Sequence, residues 1–85
     1  MTETDILKRW AESGVELRVI DEETGKSEVA TVEESVGKFY LTNGLDAEEY
    51  PDDAWYLPII KLIWLDDEIF ISCEGAFFEL DEILP

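Results

Sequence analysis

Histidine is absent from this chain, cysteine occurs once, and lysine and arginine together number six. Each shortage removes a class of function. Without histidine the commonest general base and the commonest metal ligand are gone. The lone cysteine, Cys73, cannot close an internal disulfide, a pattern that fits a reducing cytoplasm. It has no basic neighbour in sequence to lower its pKa, so it reads as a small core hydrophobe and not as a nucleophile. So few cations cannot neutralise a phosphate backbone, which argues against direct nucleic-acid binding. An anionic membrane surface is disfavoured for the same reason. The five glycines are isolated from one another and build no phosphate-cradling loop; each reads as a turn, cap or bulge. The longest apolar run, 59–65, is interrupted by Lys61 and is too short to span a bilayer. Thr2-Glu3-Thr4-Asp5 is acidic where a secretory signal needs positive charge. The expectation is a cytoplasmic protein that does not associate with membranes.

What the chain has in excess is carboxylate. There are 22 acidic residues in 85, for a net charge of −16. The excess is uneven: positions 1–38 hold ten acids and five bases, whereas 39–85 hold twelve acids and the single base Lys61. Self-repulsion of this size opposes folding, and solubility alone does not need it. A basic protein surface is the natural partner. Hydrophobic residues make up 46% of the chain and aromatics 12%, more than a disordered acidic tail would carry. The length suits one core, so 1–85 is read as one domain.

Positions 2–13 read as a helix. Thr2 or Thr4 can cap it, Glu3 and Asp5 suit its positive end, and Ile6, Leu7, Trp10 and Ala11 form one apolar stripe. Gly14 is a fitting stop. Positions 15–20 alternate, with Val15, Leu17 and Val19 on one face. The stretch 22–26 is a hairpin turn, 28–32 the return strand, 33–35 a second turn and 36–42 a third strand. Positions 45–58 differ: Asp46-Ala47-Glu48-Glu49 has capping-box spacing, so one helical turn is expected before Pro51.

The stretch 58–80 reads as a β-meander with two-residue turns at Asp66-Asp67 and Glu74-Gly75. One face then collects Ile60, Leu62, Trp64, Ile69, Ile71, Cys73, Ala76, Phe78 and Leu80, with no polar member. The opposite face holds Lys61, Ile63, Leu65, Glu68, Phe70, Ser72, Phe77 and Glu79. A wrong register would scatter charge over both. The expected fold is therefore α+β: an N-terminal helix packed on the apolar face of a five- to six-stranded antiparallel sheet that ends in the meander.

With so many carboxylates close pairs are unavoidable, but a glycosidase-type pair needs a cleft that so small a domain hardly has room for. The chain is not expected to be an enzyme. Asp46, Glu48, Glu49, Asp52 and Asp53 could offer oxygen ligands to a divalent cation, yet their spacing does not match an EF-hand loop. A solvated acidic loop is preferred; no metal or other cofactor is expected. Long connections without strand character are more often functional than idle. The expected partner-binding residues are therefore Asp46, Glu48, Glu49, Asp52, Asp53, Asp66, Asp67 and Glu68 as charges. Tyr50, Trp55 and Tyr56 would be aromatic anchors, as interface hot spots use. The alternative for Trp55 and Tyr56 is that they close one end of the core.

Size, charge and layout resemble the small acidic inhibitors that phages use against host nucleic-acid enzymes, including the uracil-DNA glycosylase inhibitor and anti-CRISPR proteins. Leu41-Thr42, Asp46-Ala47, Glu49-Tyr50 and Trp55, followed by an apolar strand, carry a local likeness to the former. Glu34-Ser35-Val36 resembles its acidic-Ser-aliphatic contact segment. The resemblance implies stoichiometric inhibition, with rows of carboxylates standing in for DNA phosphates. The implied setting is evasion of antiviral defence in the host-cell cytoplasm. A CRISPR effector is the first expected partner and another basic nuclease the second. Two further readings stay open: an immunity protein that neutralises a basic nuclease toxin, and a structural module dimerising through Ile63, Leu65, Phe70 and Phe77. Monomer and homodimer are both compatible with the chain.

Overall fold

The computed structural model describes residues 2–85. Helix α1 spans Glu3–Ser13. Thr2 caps it: its hydroxyl accepts from the Asp5 N–H at 3.2 Å, and the Asp5 carboxylate accepts from the Thr2 N–H at 3.0 Å. The reciprocal pair satisfies two of the N–H groups that a helix start leaves open. Gly14 ends the helix with φ +66° and donates to the Trp10 carbonyl at 3.1 Å.

Six strands follow: β1 (Leu17–Asp21), β2 (Ser27–Ser35), β3 (Lys38–Thr42), β4 (Tyr56–Leu65), β5 (Glu68–Cys73) and β6 (Ala76–Ile83). All pair antiparallel in chain order, so the expected α+β class holds. The sheet is also closed. β1 pairs with β2 on one side and β6 on the other, Val19 lying opposite both Glu28 and Leu80. Closure hides the edges of both outer strands. Strands β2 and β4 each serve two partners in succession. β2 pairs with β1 as far as Ala30 and with β3 from Thr31 onward. β4 pairs with β3 over Tyr56–Pro58 and with β5 beyond that.

The interior is the core. Leu17, Val19, Val32, Leu41 and Ile71 are wholly buried, and Cys73 and Phe78 lie among them. Leu7 and Trp10 of α1 join the same cluster. The helix does not lie on the meander as expected; it packs against β2 and β3, because closure turns the apolar meander face into the barrel lumen. Both tight turns of the meander have the expected length, Leu65 facing Glu68 and Cys73 facing Ala76. The register shifts once, at Ile60. Ile59, not Ile60, faces Cys73, and the extra residue leaves Ile60 62% exposed. Trp64 keeps its expected partner Ile69 but is 51% exposed, beyond the rim of the lumen. The second turn is Val36-Gly37 and not 33–35: β2 runs on to Ser35, which faces Lys38.

Candidate functional site

The β3–β4 connection, 43–55, carries most of the expected contact residues. Asn43 holds it in place. Its side-chain amide donates to the Asp53 carbonyl at 2.8 Å, and its Oδ1 accepts from the N–H groups of Leu45 and Trp55 at 3.3 and 3.2 Å. Two turns lie between these anchors. Tyr50 donates to the Asp46 carbonyl at 2.7 Å and Ala54 to the Tyr50 carbonyl at 2.9 Å. The Asp46 side chain accepts from the Glu48 N–H at 2.8 Å. The expected helical turn before Pro51 is thus a single hydrogen-bonded turn that does not extend into a helix. Asp46, Glu48, Glu49, Tyr50, Asp52 and Asp53 all stand exposed on it.

The aromatic residues divide. Trp55 is half-buried and stacks on Phe78 with centroids 5.3 Å apart, joining loop to core. Its indole N–H is buried without a hydrogen-bond partner among the described residues. A small, mostly apolar hollow of about 230 Å³ lies beside it, lined by Thr42, Leu45, Ala47, Ala54 and Tyr56. Tyr56 is exposed and stacks on Tyr40 at 4.6 Å. Desolvation pushes its hydroxyl pKa up, and the nearby Glu33 carboxylate adds to the effect.

Asp66, Asp67 and Glu68 occupy the β4–β5 turn, at the other end of β4 from this loop. Ten residues of strand separate the two groups by roughly 30 Å. They are therefore two acidic poles and not one patch. At the second pole the structure adds acids that were not among the expected contact residues. A depression of about 330 Å³ is lined by Asp67, Glu68, Glu79, Asp81 and Glu82. The β5–β6 pairing brings these together, with Ile69 opposite Leu80 and Phe70 opposite Glu79. A hydrogen bond with the Glu68 carboxyl pushes the Glu79 pKa up, with burial and the Glu68, Glu22 and Asp81 charges adding to it.

The cations do little to offset this field. Among the described residues there is one ion pair, Arg18 Nε to Glu82 at 3.8 Å, between partly exposed side chains. No three acidic, cysteine or histidine side chains among the described residues converge as a metal ion would require. Cys73 is buried at 5% exposure, and desolvation pushes its thiol up to about 12. A hollow of about 800 Å³ along Asp5, Lys8, Arg9, Glu12 and Ser13 is the open outer side of α1 with charges of both signs.

Two surface features escaped sequence reasoning. Val36 stands 98% exposed at the tip of the β2–β3 hairpin with φ +50°. Its place in the tripeptide Glu34-Ser35-Val36 was the only signal. Ile60 is exposed by the bulge, which no local pattern announces. Comparison with family models, curated proteins and solved structures finds no match for the chain.

Proposed function

We propose that this chain is a stoichiometric protein inhibitor whose acidic surface occupies the basic nucleic-acid-binding groove of a host defence protein, a CRISPR effector being the partner favoured. One observation carries the reading: 22 acids stand on the helix, loops and strands of one small closed fold with a single ion pair among the described residues. Unpaired carboxylates held on a folded frame create a persistent negative field that steers a basic partner into contact. The two poles extend that field along a body with a longest dimension of 37 Å. A groove built for nucleic acid accepts charge spread over such a length, since B-form DNA presents one charge per about 1.7 Å of axis. Inhibition by occupancy needs no catalytic group, consistent with a buried, high-pKa Cys73 and an absence of histidine.

The test is competition on purified CRISPR effector complexes with labelled target DNA. The expected result is release of DNA at one chain per effector, weakening steeply as salt rises from about 50 to about 200 mM. Reversing Asp52, Asp53, Asp66 and Asp67 to Lys is expected to abolish release. DNA that stays bound at a molar excess of the chain, across the effectors tried, would overturn the proposal.

A further inference from the structure

The barrel is closed at β1–β6, but it has a gap elsewhere. β3 pairs with β4 only as far as Pro58, and from Ile59 onward β4 has a strand on its β5 side alone. The direction of the unpaired backbone groups follows from the turn. Leu65 and Glu68 flank a two-residue loop and so form a hydrogen-bonded pair; Trp64 and Ile69 then form the alternate, non-hydrogen-bonded kind. Trp64 therefore aims its N–H and C=O away from β5, as Leu62 does. Leu62 confirms the geometry: its N–H is taken by a side chain of α1, Glu3 Oε1 at 2.6 Å. Beyond that bond no strand among the described residues covers the edge. Along it Ile60 at 62%, Trp64 at 51% and Leu65 at 57% are apolar and open, Leu62 is buried, and Lys61 is the one exposed cation. Asp66 and Asp67 stand at its end.

An unpaired N–H and C=O between exposed apolar side chains is the surface that accepts an added strand. The net charge of −16 decides whose strand. A second copy of this chain would bring the same carboxylates against themselves, whereas a basic segment is attracted to them. We infer that the C-terminal half of β4 takes up an extended segment of the partner, with alternating apolar and basic side chains, as an additional strand. This rests on the reading of a basic partner given above and adds the way in which that partner is held.

The probes are an alternating Lys–Val octapeptide and the same peptide N-methylated at every second residue, which keeps the charge and removes the backbone donors. The readouts are affinity at low salt and hydrogen exchange at the Trp64 amide of the intact chain. The expected result is that the unmodified peptide protects Trp64 and that N-methylation weakens binding by at least about tenfold. Trp64→Pro, which deletes that N–H without touching the β5 ladder, is expected to weaken it likewise. Equal binding of both peptides with Trp64 still exchanging freely would overturn the strand and leave the acidic-surface reading standing. Binding of neither peptide at low salt would overturn both. Concentration-dependent protection of Trp64 without peptide would show a second copy on this edge and also overturn the inference.

Discussion

The backbone N–H of Leu62 donates to the carboxylate of Glu3 at 2.6 Å, across 59 residues of chain. Where β3 stops short, the first turn of α1 supplies the acceptor that a strand would have given. The helix is thereby tied to the barrel by a directed, charge-assisted bond as well as by Leu7 and Trp10.

Glu3→Ala is expected to destabilise the fold by about 1–3 kcal/mol, since a partly buried N–H loses its acceptor. Glu3→Gln keeps an acceptor and should cost less. Urea midpoints for both variants, with hydrogen exchange at Leu62, check the assignment; an unchanged midpoint for Glu3→Ala would refute it.

Asn43 makes three hydrogen bonds that hold the acidic loop. Asn43→Ala is expected to free residues 45–54 while the barrel stays folded. Limited proteolysis should then cut within the loop first. Fluorescence of the tryptophans should report weaker stacking of Trp55 on Phe78. A loop as resistant as before would show that the turns within it suffice.

Val36 holds φ +50° in full exposure, a conformation that a β-branched residue adopts at a cost. The turn it makes with Gly37 favours Asn-Gly. Val36→Asn should stabilise the chain by about 1 kcal/mol, a rise in Tm of about 4–8 °C for a domain of this size. If the same variant also weakens binding to the partner, the tip is a contact. Calorimetry and the competition assay separate the two effects.

Glu79 and Asp5 pull the pH dependence in opposite directions. Glu79 is raised above its ordinary 4.5 chiefly by its hydrogen bond with Glu68, so the folded chain holds that proton more tightly than the unfolded one. Its contribution is full below the ordinary value and is lost as pH rises through the folded one. Asp5 is lowered below 3.8 chiefly by its bonds to Thr2, so its contribution is present above that value and lost as pH falls through the lowered one. Stability should rise as pH falls from 7 toward about 4.5, and decline below about 3.8. Glu79→Gln should be more stable than the parent at pH 7, with the difference shrinking as pH falls. Thermal melts across this range test the signs; a monotonic fall from pH 7 would contradict them.

Cys73 sits inside the barrel opposite Ile59 and Ala76, with its thiol pushed up to about 12 by desolvation. A thiol reagent at pH 8 should leave the folded chain unmodified and react at once in denaturant. Rapid labelling of the native protein would mean that the β5–β6 end opens far more readily than its packing implies.

Much of this molecule is local and could be read from the residues alone. The helix start, narrowed to Thr2 or Thr4, and its stop at Gly14 were legible because caps are decided within four residues; the structure chose Thr2. The turns at Asp66-Asp67 and Glu74-Gly75 set the meander register because a shift of one residue would bring charge into the apolar face. The charge imbalance, and with it the kind of partner proposed, is pure composition. Tertiary structure decided what depends on residues far apart. Pairing of Leu17 with both Ala30 and Ile83 closes the barrel, and no local pattern carries that. Closure bends β4 through the bulge at Ile60, which exchanges Ile60 for Ile59 in the core. The length of β4 sets the two acidic groups at opposite poles, the β5–β6 pairing gathers Glu79, Asp81 and Glu82 beside Glu68, and the early end of the β3–β4 pairing leaves the edge at Trp64 open. Sequence determined which residues seek water and which avoid it; only the closed sheet, by giving each strand two neighbours, in succession along β2 and β4, determined where they meet.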